Sequence, residues 1–272
     1  MIEVSPFTPL FFGTRKADGF ESDYTQIWKL GERMMIQCFS DVKPNALVYI
    51  EPSGEVYLPV IFHKYPMSGK TCWLCELRLP AVGCYSIGFN GVKSETIYVT
   101  DDEDELADTV LIQYSNRNNY QRGDALFVTD NNAMGYFSWR VHGGFKDSGW
   151  SFGAESEQFV SSEGDVVQLY GSDSVVKTLT LGTSTGVPIW YAEMLNRILT
   201  LSDVYIDGVR YARNESAVPE IEQIGESTRI NAFVISQQVR RCDADKIIID
   251  DTPKLRTTPQ GWRAISDILR GI

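Results

Sequence analysis

Apolar and polar positions in the first hundred residues alternate in short runs broken by turn residues. Glu32–Phe39 is such a run and stops at Ser40-Asp41. Ala46–Ile50 and Val56–Phe62 flank Pro52-Ser53-Gly54, which predicts a hairpin. Thr71–Leu79, Gly83–Phe89 and Thr96–Thr100 continue the series, and Asn90-Gly91 marks a second tight turn. This spacing predicts an Ig-like β-sandwich over residues 23–100, preceded by an N-terminal arm, 1–22.

The acidic run Asp101-Asp102-Glu103-Asp104-Glu105 interrupts the pattern. It lacks the alternating ligands and central glycine of a calcium loop, so residues 101–108 are expected to be a solvated linker. A second β-rich domain is expected over 109–245. Its strands begin with Val110–Tyr114, Ala125–Val128 and Tyr136–Val141. Val166–Tyr170 and Val175–Leu181 read as another strand pair. A helix is predicted over 187–199, with Thr185 as its cap and Pro188 in its first turn. Glu193 and Arg197 stand four residues apart there, and Ile189, Ala192, Leu195, Ile198 and Leu199 share one face. Asp207-Gly208 then turns a hairpin between Val204–Ile206 and Val209–Tyr211, and Ile230–Val239 is a further strand. Residues 246–272 form an arm and a terminal amphipathic helix capped by Thr258. The fold class expected is therefore mainly β with a minor helical part (α+β).

Composition narrows the function. At 272 residues with 43% hydrophobic content, the chain has the make-up of a folded protein. A net charge of −11 disfavours phosphate binding, so no nucleic-acid partner is expected. The sequence holds no apolar run long enough to span a membrane, and its start lacks the features of a secretory signal. Folding in a cytoplasm is expected, with the five cysteines as buried thiols.

Candidate chemistry is sparse. Neither His63 nor His142 sits beside a nucleophile motif. Ser68-Gly69-Lys70-Thr71 imitates the end of a phosphate loop, but Lys64 stands where the first glycine belongs and a strand follows. Cys72 and Cys75, with Cys84 nearby, resemble half a zinc site, yet residues three apart on a strand point to opposite faces. Paired carboxylates are plentiful without a pattern that places two in one cleft. Trp139, Phe145, Trp150 and Phe152 suggest either a sugar-stacking platform or core. No catalytic, cofactor-binding or metal-binding residue is expected. The apolar arm and terminal helix need covering, by their own chain or by a neighbouring subunit. Phe7, Phe11, Phe12, Trp262, Ile265 and Leu269 are the candidate interface residues.

Met1–Phe12, Glu21–Ile27 and Gly186–Tyr211 resemble tail-associated structural proteins of Bacteroidales phages and prophages. Gly186-Val187-Pro188-Ile189-Trp190, Leu195–Leu199 and Val204–Tyr211 carry most of that resemblance. The order strand pair, helix, hairpin over residues 165–211 is also similar to the phage tail-tube and distal-tail fold, whose subunits join sheets into rings. The resemblance implies a virion structural protein, assembled in the bacterial host, whose partners are itself in a homo-oligomeric ring and other tail or neck proteins. It implies no catalytic residue and no cofactor. A carbohydrate-binding or receptor-binding adhesin module is the alternative.

Overall fold

Glu3–Val4 (β1) and Arg33–Phe39 (β3) are the first antiparallel partners in a computed structural model of the chain. The structure describes residues 2–12, 24–67, 69–89, 92–128, 135–160, 162, 164, 166–182, 186–224 and 233–242. The strands of the first half are completed by Thr25–Lys29 (β2), Ala46–Ile50 (β4), Glu55–Pro59 (β5) and His63–Met67 (β6). Lys70–Arg78 (β7), Gly83–Phe89 (β8), Val92–Lys93 (β9) and Thr96–Thr100 (β10) follow.

These strands form two sheets. One has the order β1-β3-β7-β6 and the other β2-β10-β8-β4-β5. That is the ABED and A′GFCC′ arrangement of an Ig-like sandwich, down to the parallel pairing of β2 with β10. Trp28, Ile36, Cys38, Val48, Cys75, Ile87 and Ile97 fill the space between the sheets. The expected run Val56–Phe62 ends early at Pro59, and His63 opens the next strand. Asn90 and Gly91 lie outside the described residues, but Phe89 pairs with Val92 across them, as a two-residue hairpin requires.

The acidic segment becomes a short helix, Glu103–Ala107 (α1), because the Asp102 side chain accepts the Asp104 N–H and three acids occupy its first turn. Its residues are mostly exposed, so the segment is solvated as expected. It does not, however, hold two independent bodies apart. Every residue of β3 is buried, which requires both faces of its sheet to be covered. Met34, Ile36 and Cys38 face the sandwich core, while Met35 packs into the core of the second half.

That second half comprises Thr109–Ser115 (β11), Gln121–Arg122 (β12), Ala125–Leu126 (β13), Phe137–Val160 (β14) and Val166–Leu181 (β15). Helix Trp190–Ile198 (α2) follows, then Asp203–Ile206 (β16), Val209–Arg213 (β17), Glu220–Gln223 (β18) and Phe233–Arg241 (β19). Seven strands run in the order β15-β14-β11-β16-β17-β19-β18, and β15 also pairs with β19. The added pairing closes six of them into a barrel, leaving β18 attached outside. Ile112, Tyr114, Phe137, Trp139, Leu179, Leu181, Val204, Ile206, Ile235 and Val239 share one core with the buried face of α2.

The helix begins at Trp190 rather than at 187, because Val187 is held by a bridge to Phe233 in both directions. Thr185 lies outside the described residues. The expected Glu193–Arg197 pair forms at 2.6 Å. Asp207 (φ 46°) and Gly208 (φ 75°) make the two-residue turn with positive φ at both positions, as a type I′ turn needs. Val166–Tyr170 and Val175–Leu181 are a correction: they are one continuous strand, β15, paired with β14 and not with each other. Gly171-Ser172-Asp173-Ser174 has turn composition, but each of these residues has a ladder partner on β14, so the chain runs straight through.

Candidate assembly surface

The expected interface residues of the arm are a second correction, because the arm is woven between the two halves. Phe7 is fully buried in the barrel core, edge-on to Phe127 with ring centroids 5.4 Å apart. Its carbonyl accepts a 2.6 Å hydrogen bond from the Tyr114 hydroxyl. Phe12 lies in the sandwich core against Phe89, and Phe11 stacks on Trp190 at 5.5 Å. Ser5 Oγ donates to the Asp124 carbonyl at 2.7 Å, and Gln26 Nε2 donates to the Pro9 carbonyl at 2.9 Å. A segment with these intramolecular partners covers its own chain and not a neighbour's. Trp262, Ile265 and Leu269, with the terminal helix, lie outside the described residues.

The halves are joined by further buried polar contacts. Gln37, fully buried on β3, pairs its side-chain amide with both backbone groups of Leu126, accepting the N–H at 2.9 Å and donating to the carbonyl. Arg33 Nη2 donates to the Tyr136 carbonyl at 2.8 Å. The sequence hides this joint because a buried Gln satisfied by a distant backbone has no local signature.

The candidate catalytic groups are dispersed. His63 is exposed on β6, whereas His142 is half-buried on β14. Burial holds the His142 imidazole below its usual pKa, against the opposing pull of Asp108 and Glu105. Gly69 (φ 80°) turns the β6–β7 hairpin, with Met67 paired to Lys70, so the phosphate-loop look-alike is a strand turn. Cys72 and Cys75 lie on opposite faces of β7, in separate apolar clusters. Burial pushes the Cys38 and Cys72 thiols up to about 12, which keeps them protonated and non-nucleophilic. Among the described residues no group of three His, Cys, Asp or Glu side chains could hold a metal ion.

Nor do the four aromatics make a platform. Trp139 is fully buried and stacked on Tyr191 at 4.8 Å. Phe145 packs on Tyr211 at 5.0 Å. Phe152 is 75% exposed, and the side chain of Trp150 lies outside the described residues.

What the fold does present is a ribbon. Along β14, residues up to His142 pair with β11, while on β15 residues Val176–Leu181 pair with β19. Beyond them, Ser151–Val160 and Val166–Val175 have only each other among the described strands, with one register shift at Glu157/Gln158. At about 3.3 Å per residue this ribbon extends about 30 Å from the barrel. Phe159, Val160 and Val166 at its far end are each more than half exposed. Two strands standing alone are marginally stable in water, and large apolar side chains exposed at the end of such a ribbon make it a candidate contact surface. In the sequence the ribbon has one trace, a stretch free of Lys and Arg from Asp147 to Val176.

No family model matches the chain, and no curated protein is similar to it. A solved complex of Dpr2 Ig1-Ig2 with DIP-Theta Ig1-Ig3 is similar at 10% identity over 87% of this chain and 90% of that one. Its TM-score is 0.19, so the assignment of the sandwich rests on strand order alone. No helix among the described residues is long and apolar enough to cross a membrane.

Proposed function

We propose that this protein is a virion structural subunit that builds a ring-shaped tail or neck assembly of a bacteriophage, through contact rather than catalysis. The observation that carries the reading is the bare β14–β15 ribbon, which places apolar side chains about 30 Å from the body that could cover them. The segment in which α2 leads into the β16–β17 hairpin supports it, since Gly186–Tyr211 is the stretch whose sequence resembles tail-associated structural proteins. The sandwich then serves as a fixed outer module, because the arm and Gln37 tie it to the barrel. Partners are further copies of the chain and other tail or neck proteins. Size-exclusion chromatography with light scattering, followed by negative-stain microscopy, should show discrete closed rings. A protein that stays monomeric at high micromolar concentration would overturn the proposal.

A further inference from the structure

The two outer edges of the ribbon differ. Ser151–Val160 runs along β14 without interruption, whereas the register shift on β15 leaves Leu169 opposite no β14 residue, and a bulge of that kind disrupts an edge. The β14 edge also lacks the prolines that guard the sandwich, whose outer strands β5 and β6 carry Pro59 and Pro66. Phe152 and Val160 stand an even number of residues apart along it, so they share a face. Val175 and Val166 are their cross-strand neighbours on β15. Phe152, Val160 and Val166 are 75%, 60% and 61% exposed.

Resting on the assembly reading above, we infer that the β14 edges of two copies pair antiparallel about a two-fold axis at Ser156. The occupant is a second copy because the edge is complementary to itself. This register sets Phe152 opposite Val160 of the second copy, and Val160 opposite its Phe152. Each end then carries an apolar row, in which Val175 and Phe152 of one copy are continued by Val160 and Val166 of the other. A marginal two-stranded ribbon becomes a sheet of double width. About 30 Å of edge and a sheet about 10 Å thick give a contact of about 300 Å² on each copy, against about 800 Å² in a standard stable interface. Glu157 also comes opposite Glu155 of the second copy, and that repulsion weakens the contact further. Ribbon pairing therefore acts between copies already gathered in the assembly. Because a two-fold contact joins copies in pairs, that assembly holds an even number of them.

Full-length variants test the register. Ser156→Cys places a thiol at the axis, where opposed Cα atoms lie about 4.5–5.5 Å apart, within disulfide range. With oxidised glutathione it should form a covalent dimer well above the wild-type background from the native thiols. Ser151→Cys should not, because the axis holds that position about 30 Å from its own equivalent. Equal cross-linking of both variants, or none of Ser156→Cys, overturns the inference. Phe152→Lys and Val160→Glu should each weaken self-association by about tenfold or more. The doubly substituted chain should recover it, since the new charges meet only across the axis. Thermal transitions establish that the variants fold. Folded single variants that associate like wild type, or a double variant that does not recover, overturn ribbon pairing and leave ring assembly standing. An odd number of copies by light scattering does the same. A monomeric wild-type protein removes both.

Discussion

Arg140 of the barrel grips Glu32 of the sandwich with two parallel hydrogen bonds, each 2.9 Å long, and both side chains are about nine-tenths buried. The pair closes the joint at the end of β3, and Arg140 also donates to the Thr109 hydroxyl at 2.9 Å. Breaking a buried pair strands the remaining charge, at a cost of about 3–5 kcal/mol, whereas removing both partners together costs much less. Arg140→Met should therefore lower stability in urea unfolding by about that amount, and Glu32→Leu/Arg140→Met should recover most of it. Equal losses in the single and double variants would show that the pair is not what the joint depends on.

Phe7 tests the course of the arm. The side chain is fully buried against Tyr114, Phe127 and the barrel core. Phe7→Ala should cost about 3–5 kcal/mol of monomer stability by leaving a cavity. If the arm served a neighbouring subunit, the same change would instead spare the monomer transition and reduce only association.

His142 gives the fold a pH signature. Burial lowers its folded pKa below the ordinary 6.5, so the unfolded chain binds the proton more readily than the native one. Its contribution to stability is complete above pH 6.5 and is lost as pH falls through the folded pKa. Below that value its contribution no longer changes. In His142→Gln, urea midpoints measured in small steps below pH 6.5 should lose this share of the pH slope. A slope identical to wild type would assign the pH dependence to other groups.

How much of this was legible in the sequence depended on how local the cause was. The Asp207-Gly208 hairpin was legible because its turn demands positive φ at two adjacent residues, and those two residue types accept it. The body of α2 and its Glu193–Arg197 pair were legible from helical spacing, but its start was not, since the Val187–Phe233 bridge is a long-range event. The ribbon was misread because Gly171–Ser174 has turn composition while cross-strand partners hold it extended. The arm was recognised as a segment needing cover. Whether that cover was its own chain depended on pockets lined by Phe127, Phe89 and Trp190, which come together only in the folded protein. Whether Trp139 belonged to a platform or to the core stayed open for the same reason; β14 turns it inward onto Tyr191.

Closure of the barrel by β19 has a consequence for how the chain is made. β19 is the last described strand, yet it pairs with β15, β17 and β18, so three earlier strands wait for it with open edges. During synthesis the sandwich strands leave the ribosome well before the barrel can shut, and the pocket for Phe7 must stay available to an arm made more than a hundred residues ahead of Tyr114 and Phe127. The nascent protein thus passes through a stage in which β15 and β17 are sticky templates for any neighbouring strand. Ribosomes spaced too closely on one message would bring the strand of another chain to these edges before β19 arrives.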